Sequence, residues 1–497
     1  MSVVSTAWGS RWRLVPSVVD VFFCVLLVAA FARPAGIGAL LGDGDTGWHI
    51  RTGELILDNG RIPVADPFSF SRAGQPWYAW EWGSDVLFAL VWRWRGVAGV
   101  AAFSGVVLAL AAAVLFARQL ARGCGLAVAL GATMAAVSAS SIHYLARPHV
   151  VSILLYGVAL WMLEADRTRP RPWVWLLVPL TALWTNLHAG FIAWCGTLAL
   201  LAMVEAAARN WTRVRRYAAL TAGCSLASLF NPYGWGLHAH VARYLSSGWV
   251  MDHVQEFQSP NIRSEGMVVY ALLLMVSVAV AARAERFDAV LVFVWGFLSL
   301  RSARHIPLFA MVAAPVAAQV AEAAWRRAAE RAGRDSAVAM LRGFAMDFGG
   351  RARTGVWPAV ATVLAVMVSL PASNFPDARF PVAAVERNLA HLVPAGPPPR
   401  VLTSDQWADY LIYRLYPRQR VFFDGRSDFF GPQVGGDYRE LLSAGPGWRE
   451  LVERYRFAVA LLPRDWPLAT TLDREPGWRQ VYVDRLSVLY VRQGGGT

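Results

Sequence analysis

Apolar runs close to bilayer length, each followed by a short polar connection, repeat along the first three quarters of the chain. Residues 18–41, 97–116, 150–163 and 356–370 are examples. About 20 such residues let a helix cross the hydrocarbon layer. Their succession predicts a polytopic α-helical membrane protein with about eleven transmembrane helices, counting the shorter stretches near 172–187 and 287–300. Beyond residue 372 the pattern shortens and alternates. It predicts strands over 400–403, 420–423 and 457–462, a hairpin over 480–483 and 486–491, and helices over 405–416, 448–455 and 467–473. The chain therefore divides into a transmembrane part, 1–372, and a C-terminal α/β domain, 373–497.

Two polar interruptions stand out in the transmembrane part. The first outer loop, 42–96, carries amphipathic pieces over 46–59 and 80–95, separated by turn signals at Pro63, Asp66-Pro67 and Gly74-Gln75-Pro76. Trp and Arg along one side of such helices suit the headgroup layer. The second interruption, 322–353, is basic and Ala-rich and reads as a cytoplasmic surface segment against anionic lipid.

With 56% hydrophobic and 16% charged residues, the 497-residue chain is unlike a soluble protein. The formal charge of +13 would suggest nucleic acid in a soluble domain. Here the positives sit in short loops, all of them arginine, and read as topology signals instead. Arg11 and Arg13 place the N-terminus in the cytoplasm. The later clusters, at 118–122, 167–171, 209–216, 283–286 and 326–353, fall on the same side, and residues 373–497 fall outside. The first apolar run lacks a small-residue cleavage site and reads as a retained helix. Cys24, Cys124, Cys195 and Cys224 lie in or beside apolar runs without metal-ligand spacing and read as core residues.

In this topology all nine histidines lie at or beyond the outer face, together with Arg147, Arg301 and Arg304. A charge in mid-bilayer costs about 2.5–3.5 kcal/mol, so charges gather at helix ends. Their bias to one end predicts a polar cavity opening outward. Asp43-Gly44-Asp45 follows the first span. On an extended, Gly-loosened segment both carboxylates would point to one side and could share a divalent cation such as Mg or Mn. Asp45 before Thr46-Gly47-Trp48 also suits an N-cap. Asp43 and Asp45 are thus candidate catalytic bases and metal ligands, and Glu81 is a further catalytic candidate. Arg147, Arg301, Arg304 and His305 are candidate phosphate or substrate ligands, joined by His49 and His188. Membrane anchoring would use the same arginines. Asn231-Pro232-Tyr233-Gly234 is explained by turn chemistry, whereas Asp424 and Arg426, in a loop at a strand end, fit either a site or a structural ion pair.

Over nearly its whole length the chain resembles the GT-C superfamily of integral-membrane glycosyltransferases, which includes the protein O-mannosyltransferase and lipid A aminoarabinose transferase families. The resemblance lies in Asp43-Gly-Asp45 after the first helix, the paired loop helices, the many spans and the outer α/β domain. Asp45-Thr-Gly-Trp48-His49, Asp66-Pro-Phe-Ser69, Trp80-Glu81-Trp82, Asn231-Pro-Tyr-Gly234, Arg304-His-Ile-Pro307 and Phe423-Asp-Gly-Arg426 are similar to segments of a bacterial branch of that superfamily. The resemblance implies a bacterial inner-membrane enzyme that takes sugar from a polyprenyl-phosphate-linked donor to an extracytoplasmic glycan, lipid or protein acceptor. It further implies that Asp43 or Asp45 acts as base or holds acceptor and metal. Asp-Gly-Asp departs from the adjacent Asp-Glu of the mannosyltransferases. The alternative is a transporter or envelope-polymer assembly protein on the same scaffold.

Overall fold

A computed structural model describes residues 15–32, 36–264, 266–349, 355–368 and 374–493. Arg11, Arg13 and the exit of the last span near Pro371 lie outside the described residues. The membrane part begins with α1 (Val18–Ala32), α2 (Asp45–Asn59), α3 (Trp82–Ala121), α4 (Leu126–Ser140) and α5 (His149–Thr168). It continues with α6 (Leu177–Thr185), α7 (Phe191–Ala207), α8 (Trp211–Ala227), α9 (Trp235–Ser246) and α10 (Gly248–His253). It ends with α11 (Met267–Ala281), α12 (Arg286–Arg301), α13 (Ile306–Ala332), α14 (Ala337–Gly349) and α15 (Trp357–Val368). Four helices among the described residues, at 82–121, 126–143, 149–168 and 303–332, are long and apolar enough to cross a bilayer, and five further apolar helices are shorter. The short stretches near 172–187 and 287–300 are helical, as α6 with a preceding 3-10 turn and as α12.

Within α3 the interface piece and the span meet at Gly96, whose φ of 65° breaks the helix. A side chain there would be strained, which is why a glycine marks the corner. The two polar ends of the bundle are then set by α5. His149 opens it, whereas Glu164 and Arg167 close it about 22–27 Å away at about 1.5 Å per residue. At that far end the arginine clusters are stitched to carboxylates. Arg118 pairs with Glu164, Arg122 reaches Glu164 at 2.6 Å and Asp288 at 2.9 Å, and Arg216 holds Asp166 at 2.6 Å. The loops predicted to share a face therefore do meet at one end.

The C-terminal part comprises α16 (Val382–Arg387), α17 (Leu389–Leu392), β1 (Arg400–Leu402), α18 (Asp405–Leu415), α19 (Ser427–Leu442) and α20 (Trp448–Tyr455). It closes with β2 (Phe457–Pro463), α21 (Pro467–Leu472), β3 (Trp478–Val483) and β4 (Ser487–Arg492). The sheet order is β1-β2-β4-β3, parallel only between β1 and β2. Ser404 caps α18 by accepting from the Trp407 N–H. The predicted strand over 420–423 does not join this sheet. Val421 instead bridges to Ser69 of the first outer loop, accepting from Phe70 N and donating to the Phe68 carbonyl. The long α19 was not anticipated, because Gly431 (φ 68°) and Pro432 interrupt its pattern.

That bridge belongs to a wider union. Trp48, Ile50, Phe68, Trp77 and Phe88 of the first loop share one hydrophobic core with Tyr410, Leu411, Phe423 and Phe430 of the tail. Consequently α2 does not lie free in the headgroup layer as its amphipathic pattern suggested; it is clamped between α3 and α18. Three glycines permit the clamp. Gly44 and Gly47 face the backbone of α18, and Gly53 faces the Asp85 carbonyl of α3. Arg426 locks the union from the tail side. It takes Asp424 in a two-pronged ion pair and Asp66 at 2.8 Å, over the ring faces of Phe68 and Trp77.

Alanine at Gly47 places a methyl 2.6 Å from the Asp409 carbonyl oxygen and 2.9 Å from Tyr413 Cβ, so α2 and α18 must separate. Overpacking of this kind costs about 1–3 kcal/mol. Gly47→Ala is expected to lower the melting temperature and expose the tail to protease. Gly38→Ala, with nothing within 4 Å, is the control and is expected to melt like the parent.

Candidate functional site

The acidic motif is built differently from the extended segment its glycine suggested. Gly44 is helical in backbone (φ −66°, ψ −28°), and Asp45 is the first residue of α2. Asp43 Oδ1 accepts from the Asp45 N–H at 2.9 Å, closing a turn. The two carboxylates converge on Arg147, in the loop between α4 and α5. Its Nη1 meets Asp43 Oδ2 at 3.0 Å, and its Nη2 meets Asp45 Oδ2 at 2.8 Å. Glu256, in the loop before α11, takes Nη1 as well. Thr46 Oγ1 donates to the Ala146 carbonyl and ties the start of α2 to the same loop.

Arg147 is therefore paired with three carboxylates, and it also lines a cavity shared with Asp45. The same geometry answers the metal question. The guanidinium stands where a cation shared by Asp43 and Asp45 would have to lie. Among the described residues no group of three or more His, Cys, Asp or Glu is arranged to hold a metal ion. The donor set does not fit the expected divalent metal at this motif. Burial works against the charge of Arg147, but Asp45, Glu256 and Asp43 outweigh it and hold it firmly protonated.

Asp45 has a second neighbour that sequence reading missed. Asp409, on the buried face of α18, receives the Gly425 N–H at 3.1 Å on one oxygen and turns the other toward Asp45 Oδ1. A Cβ on Gly425 would strike both carboxyl oxygens, so only glycine lets this loop pass between the acids. Burial raises both groups; the charge of Asp45 raises Asp409 further, whereas the hydrogen bond from Asp409 works the other way on Asp45. The available signal was a lone carboxylate among Trp407, Ala408, Tyr410 and Leu411, all buried.

Glu81 heads a separate group. Its Oε2 lies 3.7 Å from His49 Nε2 and its Oε1 lies 3.5 Å from His188 Nε2. Behind His49, Nδ1 is bonded to Asp85 Oδ1 at 2.6 Å, with both residues fully buried. His188 has its tautomer set by its surroundings. Trp184 Nε1 donates to Ser152 Oγ, which leaves the hydroxyl proton for His188 Nδ1, and the Gly190 N–H points at the same nitrogen. The ring proton must then sit on Nε2, facing Glu81. Burial pushes Glu81 up to about 8 against the pull of Arg147, and raises Asp85 well above the usual carboxylate range. Burial also depresses His49, so its ring is neutral.

Both acid groups open on one cavity of about 370 Å³. Asp45, Glu81, Glu256 and Asp428 line it, as do five histidines, His49, His143, His149, His188 and His305. Trp48, Trp77, Tyr78, Trp80 and Tyr244 form an aromatic wall. Arg304 lines it too, 4.3 Å above the Phe257 ring, and makes no ion pair with a carboxylate among the described residues. Asp43 is turned into Arg147 and does not line the cavity. Arg301 is exposed at the end of α12 and does not line it either, so the predicted Arg301/Arg304 pair is not assembled. Glu256, a single acid in a segment without any motif, and Asp85, one helical turn after Glu81, were not among the candidate site residues.

Solved structures share this architecture. ArnT from Cupriavidus metallidurans bound to undecaprenyl phosphate aligns over 96% of this chain and 98% of its own, with TM-score 0.53 and 14% identity. Archaeal oligosaccharyltransferase AglB from Archaeoglobus fulgidus, in complex with an inhibitory peptide and a dolichol-phosphate, aligns over 92% of this chain and 70% of its own, also at TM-score 0.53 and 14% identity. No protein-family model and no curated protein matches the sequence. Both structures have the GT-C fold, and the resemblance drawn from the first-loop motifs holds at the level of fold.

The raised Glu81 has a consequence for stability. Between the ordinary 4.5 and about 8, the unfolded chain has lost this proton while the folded protein keeps it. Stability from this group is full below pH 4.5 and falls as pH rises toward 8. Thermal unfolding across that window is expected to show a falling melting temperature, with a shallower fall in Glu81→Gln.

Proposed function

We propose that this protein is an inverting glycosyltransferase of the bacterial inner membrane, moving a sugar from a polyprenyl-phosphate-linked donor to a hydroxyl on an extracytoplasmic acceptor. The observation that carries this reading is the cavity itself. Two carboxyl groups, Asp45 and Glu81, face it along with an arginine, Arg304, that makes no ion pair with a carboxylate among the described residues, and an aromatic wall stands beside them. A lipid-linked sugar needs these three features: a cation for the phosphate, flat apolar faces for the sugar ring and a proton acceptor for the incoming hydroxyl. The lipid phosphates held by the two fold neighbours support a polyprenyl carrier.

In this mechanism the donor phosphate lies toward Arg304. The acceptor hydroxyl is held against Glu81 and Asp45, and its oxygen attacks the anomeric carbon in line with the leaving phosphate. The new C–O bond forms, the bond to the phosphate oxygen breaks, and the lipid phosphate departs with the electron pair. The hydroxyl proton passes to a carboxylate of the wall. Asp43 holds Arg147 in register and takes no proton. The arginine-bearing end of the bundle, closed by its ion pairs, supports a cytoplasmic N-terminus and an outer C-terminal domain. That closure favours chemistry at one face over transport across the membrane.

Membranes containing the protein, supplied with polyprenyl-phosphate sugars, test the reading. Glu81→Gln and Asp45→Asn are each expected to lower kcat by about 10²–10⁴-fold. Arg304→Gln is expected to raise KM for the donor, and Arg301→Gln to leave both constants near the parent values. Full transfer by folded Glu81→Gln and Asp45→Asn proteins would sink the mechanism.

A further inference from the structure

We propose that Glu81, His49 and Asp85 form a proton relay that strips Glu81 of its own proton when the acceptor is bound, so that a half-buried acid can serve as the base. This rests on the glycosyltransferase reading above. The geometry points to it in three ways. First, the groups are in series: Glu81 Oε2 to His49 Nε2 at 3.7 Å, then His49 Nδ1 to Asp85 Oδ1 at 2.6 Å. A small rotation of the Glu81 carboxyl closes the longer gap, and catalytic hydrogen bonds often tighten only around substrate. Second, the chain has one open end. Glu81 lines the cavity, whereas Asp85 is fully buried behind His49 with its second oxygen unpartnered among the described residues. Third, the other side of Glu81 is blocked as a proton sink, because His188 presents an N–H there and its far nitrogen is already bonded to Ser152 and Gly190.

The proton count balances. In the form in which Glu81 is still an acid, the three residues carry one negative charge, on Asp85, with one proton on His49 Nδ1 and one on Glu81; burial raises Asp85 well above the usual carboxylate range, which draws a proton toward it. A two-proton shift moves the Glu81 proton to His49 Nε2 and the Nδ1 proton to Asp85. The charge now sits on Glu81, at the cavity, with no exchange with water. The acceptor hydroxyl then gives its proton to Glu81 as its oxygen bonds to the anomeric carbon and the phosphate leaves. That third proton is released to water once product has gone. Without the relay Glu81, half-buried and pushed up to about 8, would stay protonated at neutral pH. The groups that bias the shift are Asp45 beside His49 on α2, His188 before α7, Arg147, Arg304 and Asp428. Arg147 and Arg304 favour charge on Glu81; Asp45 and Asp428 oppose it. Glu81 is the catalytic residue here, and His49 and Asp85 are positioning residues that act through it.

The test is the pH dependence of kcat for Asp85→Asn and His49→Gln in purified protein, beside KM for the donor. The relay predicts that both lower kcat by about 10²-fold or more, that the acid limb of the profile moves to higher pH, and that KM stays within about twofold. Retained binding of polyprenyl phosphate shows that each variant is folded. A parental pH profile in Asp85→Asn overturns the relay. A second readout does not need turnover: infrared difference spectra of the protonated carboxyl stretch during a pH titration. One shared band, lost in both Glu81→Gln and Asp85→Asn and shifted in His49→Gln, supports the relay. Two independent bands, each blind to the other variant, overturn it. If the parent protein transfers no sugar, the glycosyltransferase reading fails, and the infrared bands still decide the relay.

Discussion

Arg147 between Asp43, Asp45 and Glu256 is the contact on which the architecture of the site rests. Three segments far apart in sequence meet there: the first outer loop, the α4–α5 loop and the stretch before α11. A partly buried guanidinium pays a desolvation cost unless carboxylates surround it, and removing one partner strands the remaining charges. The arrangement specifies where α2 begins relative to the bundle. From that starting point α2 carries His49 to its place behind Glu81.

The tail is part of the same construction. Arg426 ties Asp424 of the C-terminal domain to Asp66 of the first loop, and Gly44, Gly47 and Gly425 keep the two backbones close enough for Asp409 to face Asp45. An α/β domain that reads as a separate unit thus supplies one wall of the cavity. Its docking also keeps water from the acids, which raises Glu81, Asp85 and the Asp45–Asp409 pair together. Packing and proton affinity are here two consequences of one buried interface.

Much of this was legible beforehand. The helical positions followed from apolar runs, and the interface helix ending at Gly96 followed from its Trp and Arg stripe. Gathering of histidines at one end was read from topology, and five of them line one cavity. Glu81, Asp45 and Arg304 were named and do face it. Arg147 faces the cavity already paired with three carboxylates, and Arg301 does not face it, for a common reason. Position and charge say which residues are near a surface, but not which charges already neutralise one another. Asp409 and Asp85 were not candidates, because a carboxylate on a helix carries no local sign of which distant partner it will meet.

By itself the sequence determined the class of protein, its helical positions, the tail's hairpin and the end of the molecule where polar chemistry gathers. These follow from local periodicity and from the cost of charge in lipid, both of which are written into neighbouring residues. Only the tertiary structure decided which carboxylates hold Arg147, which face the cavity and which back another group. Those outcomes depend on pairs separated by 36 positions, as with His49 and Asp85, or by 362, as with Arg51 and the Tyr413 carbonyl that binds α2 to the tail. The first-loop acids became one wall of a site through contacts of that kind, because a buried charge takes its meaning from its partner.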